Sequence, residues 1–219
     1  MEPVCDLVLP CRDEAPALRG LLPRVPAAFS VIVVDNGSRD DTAAVAASLG
    51  ARVVTEPVAG YGAAVHAGLL AARHEYVAFM DGDGSFDPED LLPMLAEVRA
   101  GRADLCVGRR RPVRRGVWPW HARVGNALVV AWLRRRTGMP ARDIAPMRVS
   151  RRDALLALGV RDRRFGYPVE LLQRATDAGW RFCERDVAYH PRALGTRSKV
   201  SGSVRGTLRT ARDFWKVLT

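Results

Sequence analysis

The feature that most constrains this chain is the regular exchange of short β-like runs with helix-like stretches across its first hundred residues. Asp6 to Pro10, Val31 to Asp35, Ala51 to Thr55 and Tyr76 to Asp81 are short and apolar, as buried strands are. Between them, Ala15 to Leu22, Asp40 to Leu49, Gly62 to Arg73 and Pro88 to Ala100 carry helical spacing. Asp40, Asp41 and Thr42 supply capping side chains, and Asp87-Pro88-Glu89-Asp90 puts a proline in a first turn. A βαβαβαβα order predicts an α/β domain built on an open, mostly parallel sheet flanked by helices. Ligands of such sheets sit beyond the carboxyl ends of the strands. Three predicted strands end there in polar groups: Pro10 to Glu14, Asp35 to Ser38, and Asp81 to Asp83.

Beyond Leu105 the pattern loosens. Gly108 to Gly116 reads as a basic loop, Val124 to Arg136 as a helix, Asp143 to Leu158 as a strand-helix unit, Pro168 to Ala178 as a helix and Val187 to Tyr189 as a short strand. Charge divides the chain at the same place: residues 1–105 carry a net −8 and residues 106–219 a net +18. An acidic half suits a cation and a basic half suits an anion. A hydrophobic content of 48% excludes disorder. Cys5, Cys11, Cys106 and Cys183 form no CxxC pair, which argues against a zinc site or a disulfide framework. The longest apolar run, Ala127 to Leu133, is too short to cross a bilayer. We expect a reduced, cytoplasmic protein with one domain over residues 1–200 and a terminal helix over 201–219. In that helix Val204, Leu208, Ala211, Trp215 and Leu218 form a stripe beside Arg205, Arg209, Arg212 and Lys216. Such a stripe suits either an anionic membrane surface or packing on the domain.

The segment Met80 to Asp90 (MDGDGSFDPED) places Asp81 and Asp83 two residues apart on a glycine-rich turn. Two carboxylates so spaced can hold a hard divalent cation, Mg2+ or Mn2+, that also binds a diphosphate. A calcium loop is excluded by the missing glutamate at its twelfth position and by the strand, rather than helix, that precedes it. Gly60, Gly62 and Gly68 invite a dinucleotide-binding reading, but the third glycine comes too late and no strand directly precedes the first pair.

PCRDEA (10–15), VVDNGSRDDT (33–42) and MDGDG (80–84), in that order and spacing, resemble the family 2 glycosyltransferases of GT-A fold, in particular the polyprenyl-phosphate sugar synthase branch. The segments EPVAGYGAAVHAGL (56–69), VGR (107–109), DIAPMRVSRR (143–152), YPVEL (167–171) and GTRSKVSG (195–202) extend the likeness over nearly the whole chain. The resemblance implies that Pro10, Arg12, Glu14, Asp35 and Asn36 line the nucleotide of a GDP- or UDP-linked sugar, with Gly62 walling the pocket. Asp81, Gly82 and Asp83 would meet the diphosphate and its metal. Arg109, Arg123, Arg197, Ser198 and Lys199 are candidates for an acceptor phosphate, where arginine forks and a lysine suit a dianion. Two departures stand out: Asn36 where the family often has a second aspartate, and Ser85 where it often has glutamine.

Inverting transfer from such a donor needs a nucleophile opposite the leaving diphosphate. A phosphate acceptor is already largely ionised at neutral pH, whereas a hydroxyl needs a base. For a hydroxyl acceptor, Asp143 and Glu170 are the candidate bases. The expected acceptor is a polyprenyl phosphate at the inner membrane face, reached peripherally or through a separate membrane protein. A hydroxyl on a soluble metabolite is the alternative. A basic nucleic-acid-binding module using Trp118, Trp120 and Trp180 is a reading from another class, and the acidic DGDG turn argues against nucleic acid as a partner.

Overall fold

The computed structural model describes residues 2–194. Seven strands, β1 (Cys5–Cys11), β2 (Phe29–Asp35), β3 (Arg52–Thr55), β4 (Tyr76–Phe79), β5 (Leu105–Pro112), β6 (Met147–Arg151) and β7 (Phe182–Tyr189), form one sheet in the order β3-β2-β1-β4-β6-β5-β7. The helices are α1 (Ala15–Leu21), α2 (Thr42–Ser48), α3 (Tyr61–Ala71), α4 (Leu91–Arg99), α5 (Trp120–Thr137), α6 (Arg152–Ala157) and α7 (Tyr167–Asp177). All neighbouring strands run parallel except β6, which is antiparallel to both β4 and β5. This is the expected α/β architecture of GT-A type.

The sheet is covered on both faces because its central strands are apolar on both. In β1, Leu7 and Leu9 pack with residues of α1 and α4, while Val8 packs with residues of α3 and α7. The two-residue period of a strand thus divides one apolar run between two cores. Because β2, β1 and β4 are adjacent and parallel, their carboxyl ends open on the same side of the sheet.

Two expectations are corrected. The basic segment after Gly108 is not a loop from its start, because β5 continues to Pro112. Its partner β7 is correspondingly longer than Val187 to Tyr189, with the register Leu105↔Phe182 through Pro112↔Tyr189. Arginines persist in this strand pair because carboxylates answer them: Arg110 meets Asp143, and Arg111 Nε lies 2.8 Å from Asp186 Oδ2. No helix among the described residues is long and apolar enough to cross a membrane. The expected terminal helix over 201–219 lies outside the described residues.

Candidate active site

The turn after β1 is stitched to the loop after β2. Asp13 has the left-handed φ of 53°, which an aspartate tolerates when its backbone is held. Here Asp13 N donates to Ser38 Oγ (2.9 Å), Arg39 N donates to Asp13 Oδ1 (2.7 Å) and Glu14 N donates to Thr42 Oγ1 (2.9 Å). Asp35 accepts from Ser38 N at 2.9 Å. Pro10 and Asp35 are half-buried, Glu14 is buried and Arg12 is exposed. Two of the three polar strand ends therefore form one rigid wall.

Asn36 is buried, and its amide is engaged with the backbone of the following loop. Nδ2 donates to the carbonyls of Glu56 and Val58, both at 2.8 Å, and Oδ1 accepts from Gly60 N at 2.9 Å. It holds the 56–60 loop that leads into α3. An aspartate here would turn a carboxylate oxygen on two carbonyls. Asn36→Asp is expected to cost about 1–3 kcal/mol, read as a lower denaturant midpoint at neutral pH. Gly62 is closely packed. A Cβ there would stand 2.7 Å from Asp162 O and 2.8 Å from Tyr167 Cβ, so its bare backbone lets α3 meet the 162–167 segment. A side chain at Gly82 would run into Cys11 Sγ, which seats the DGDG turn against the end of β1.

That turn carries the paired carboxylates. Asp83 is buried; Oδ1 accepts from Ser85 N (2.9 Å) and Ser85 Oγ (2.5 Å), and Oδ2 lies 2.8 Å from Arg192 Nη1. Ser85 thus braces Asp83. Asp81 keeps partial exposure. Burial, and then the Asp83 charge, push the Asp81 carboxyl up to about 6, against the pull of Arg192, Arg110 and Arg148. Two carboxylates confined together demand a cation, and the Arg192 guanidinium meets part of that demand. The pair fits Mg2+ or Mn2+, which take one or two carboxylates and complete their shell from phosphate oxygens and water. Among the described residues, no group of three or more histidines, cysteines and carboxylates is close enough to hold a metal by itself.

Opposite the pair stand cations that sequence reasoning missed. Arg110 Nε and its backbone N donate to Asp143 Oδ2, both at 2.9 Å, and Nη2 donates to Asp143 Oδ1 at 2.6 Å. Asn126 of α5 accepts from Arg110 Nη2 at 3.2 Å, and the Trp118 ring centroid is 4.0 Å from the guanidinium carbon. Arg148 is 1% exposed. One of its nitrogens donates to Ile144 O at 2.7 Å, whereas Nε and Nη1 make no hydrogen bond among the described residues. Tyr61 lies beside it, its phenol pushed up to about 12 by burial and so a neutral donor. A charged residue between the apolar Met147 and Val149 of a short strand was the available signal for Arg148. Arg192 follows β7 in an unpatterned stretch and gave none.

Both candidate bases are engaged by neighbouring donors. Burial raises Asp143, but Arg110 and two backbone N–H groups more than offset it, and its carboxyl stays below the ordinary range. In Glu170, burial is likewise outweighed, by the N–H groups of Asp162 and Arg161 and by Arg174, whose Nε is 2.6 Å away. Both are anchors with occupied oxygens. Arg109 lines a polar groove with Asp90, Pro93, Arg142, Glu184 and Arg185, while Arg123 is exposed on α5. Arg197, Ser198 and Lys199 lie outside the described residues.

Comparison with known proteins fits this geometry. The chain is 57% identical over 214 residues to an uncharacterized glycosyltransferase of Mycobacterium tuberculosis, covering 97% of each. It is 32% identical over 211 residues to the polyprenol monophosphomannose synthase of Mycolicibacterium smegmatis, covering 88% of this chain and 78% of that one. Among solved structures it resembles the glucosyl-3-phosphoglycerate synthase from Mycobacterium tuberculosis in complex with Mn2+, uridine diphosphate and glucosyl-3-phosphoglycerate. The TM-score is 0.76 at 21% identity, over 99% of this chain and 78% of that one. The model of the family described as glycosyl transferase family 2 matches residues 6–155. The chain is a glycosyltransferase and belongs to glycosyl transferase family 2.

Proposed function

We propose that the protein is a metal-dependent, inverting glycosyltransferase that moves a sugar from a nucleoside-diphosphate sugar to a lipid phosphate. The observation that carries this reading is the carboxylate pair Asp81 and Asp83 facing Arg110, Arg148 and Arg192 at the mouth of the sheet. The relative named polyprenol monophosphomannose synthase and the fold neighbour holding UDP and Mn2+ support it.

The mechanism follows from what these side chains do. The wall made by Pro10, Arg12, Glu14 and Asp35 takes the nucleoside and leads its diphosphate toward the turn. Asp81 and Asp83 would hold the divalent cation, which when bound would neutralise charge on the departing diphosphate. Arg192 then exchanges its carboxylate partner for phosphate oxygens, and Arg110, locked by Asp143 and Asn126, presents a fixed guanidinium to the acceptor. An acceptor phosphate oxygen bonds to the anomeric carbon as the bond from that carbon to the diphosphate oxygen breaks, and the nucleoside diphosphate departs. No proton has to be removed, in keeping with the engagement of Asp143 and Glu170 elsewhere. An acceptor hydroxyl would need the base that these two do not supply.

Calorimetric titration with UDP-, GDP- and dTDP-linked sugars, with and without Mn2+, tests the donor side. One nucleotide is expected to bind tightly and only with the metal. Binding of none of them would overturn the reading.

A further inference from the structure

Helix α5 is apolar on two sides. Val130 and Leu133 are buried on the core, whereas Trp120 is 76% exposed, Val124 49% and Leu128 66%. At the helical repeat Trp120, Val124, Ala127, Leu128 and Ala131 fall in one outward stripe roughly 100° wide, the width usually reserved for a buried face. Arg123 and Arg134 edge the stripe along one side, and Arg135 sits at its far end. Just before the helix, Val113 is 48% exposed beside exposed Arg114 and Arg115.

The charge around this stripe has one sign. Between Asp104 and Asp143 the sequence has ten arginines and no acidic residue. Among the described residues, Arg114, Arg115, Arg123, Arg134 and Arg135 have no carboxylate partner. A second copy docking on this face would set arginine against arginine. Residues 195–219 carry six basic side chains and one acidic, so they are no better matched to it. An apolar stripe bordered by arginines with an aromatic residue at one end matches a helix lying in a bilayer interface.

We propose that the outer face of α5 lies in the headgroup region of an anionic phospholipid membrane. This deepens the lipid-phosphate reading, on which it rests for its purpose. Asn126 on the same helix holds Arg110, so the docked helix brings the mouth of the site to the depth at which a lipid phosphate stands. The helix would bind by burying its apolar stripe, and the arginines would make that binding depend on lipid charge and on salt.

The test is co-sedimentation of the full chain with vesicles of phosphatidylglycerol mixed into phosphatidylcholine, and with phosphatidylcholine alone, at low and high salt. The wild type is expected to bind the anionic vesicles, more weakly in high salt, and not the neutral ones. Val124→Asp combined with Leu128→Asp is expected to weaken binding by about tenfold or more, and Trp120→Ala by less. All three positions are exposed, so Mn2+-dependent nucleotide binding should be unchanged and serves as the check on folding. Equal binding by the double variant, or no binding by the wild type, would overturn the proposal. So would a wild-type dimer in light scattering that the double variant turns into monomer, since that gives the face to a second copy. Vesicle binding without nucleotide binding would sink the donor reading and leave this surface standing; the converse would sink the surface alone.

Discussion

Asp81→Asn is expected to lower sugar transfer about a thousandfold, ~4 kcal/mol of transition-state stabilisation, while leaving the fold intact. Burial sets the Asp81 carboxyl first, followed by charge: Asp83 on one side and Arg192, Arg110 and Arg148 on the other. Asparagine keeps the shape and removes the charge. It halves the negative charge offered to a divalent cation, whose hold on the diphosphate then weakens just as charge builds on the leaving group. Asp83→Ala is a less clean test, because Asp83 also accepts from the Ser85 backbone and hydroxyl and would take the turn with it. The measurement is kcat/KM at saturating Mn2+, together with the midpoint of thermal unfolding. Transfer within tenfold of wild type would remove Asp81 from the cation site.

Asp143→Asn is expected to act on stability. The Arg110–Asp143 pair is buried, with the carboxylate side chain 2% exposed, and both its oxygens are engaged. Removing one partner of such a pair leaves a buried charge and costs about 3–5 kcal/mol, a fall in Tm of roughly 10 °C for a chain of this size. Because the folded state depresses the Asp143 carboxyl, its stabilising effect is complete above the pKa of the unfolded chain. It fades as pH falls through the lower folded value. The variant should lack that acid dependence. Were Asp143 a catalytic base instead, Tm would hold and the acidic limb of the pH–rate profile would disappear.

The first half of the fold was readable because each of its strands is a short apolar run closed by a polar turn, and sequential βα units pair with near neighbours. The carboxylate pair was readable for the same reason. The second half depends on partners distant in sequence. Nothing in MRVSR tells that it enters the sheet antiparallel between β4 and β5, since orientation is decided by where the chain has come from. The arginines after Gly108 looked like a loop because the carboxylates that let them sit in a strand lie thirty and more residues away, as Asp143 does from Arg110. The bracing role of Asn36 was hidden for a related reason: a polar residue at a strand end can face a ligand, brace a neighbouring loop or do both, and the carbonyls of Glu56 and Val58 that it holds lie twenty and more residues away.

The antiparallel strand β6 also sets the timing of assembly. β4 is buried along its whole length, yet one of its two neighbours is encoded some seventy residues downstream. At ordinary translation rates the gap between the synthesis of Phe79 and of Arg151 is roughly 4–15 s. Throughout it, the nascent sheet has an unprotected apolar rim with free amide and carbonyl groups, the kind of edge that recruits other chains. A fragment ending near residue 105 should therefore precipitate rather than bind nucleotide. The pairing of β4 with β6 thus ties the acidic half to the basic half within one sheet.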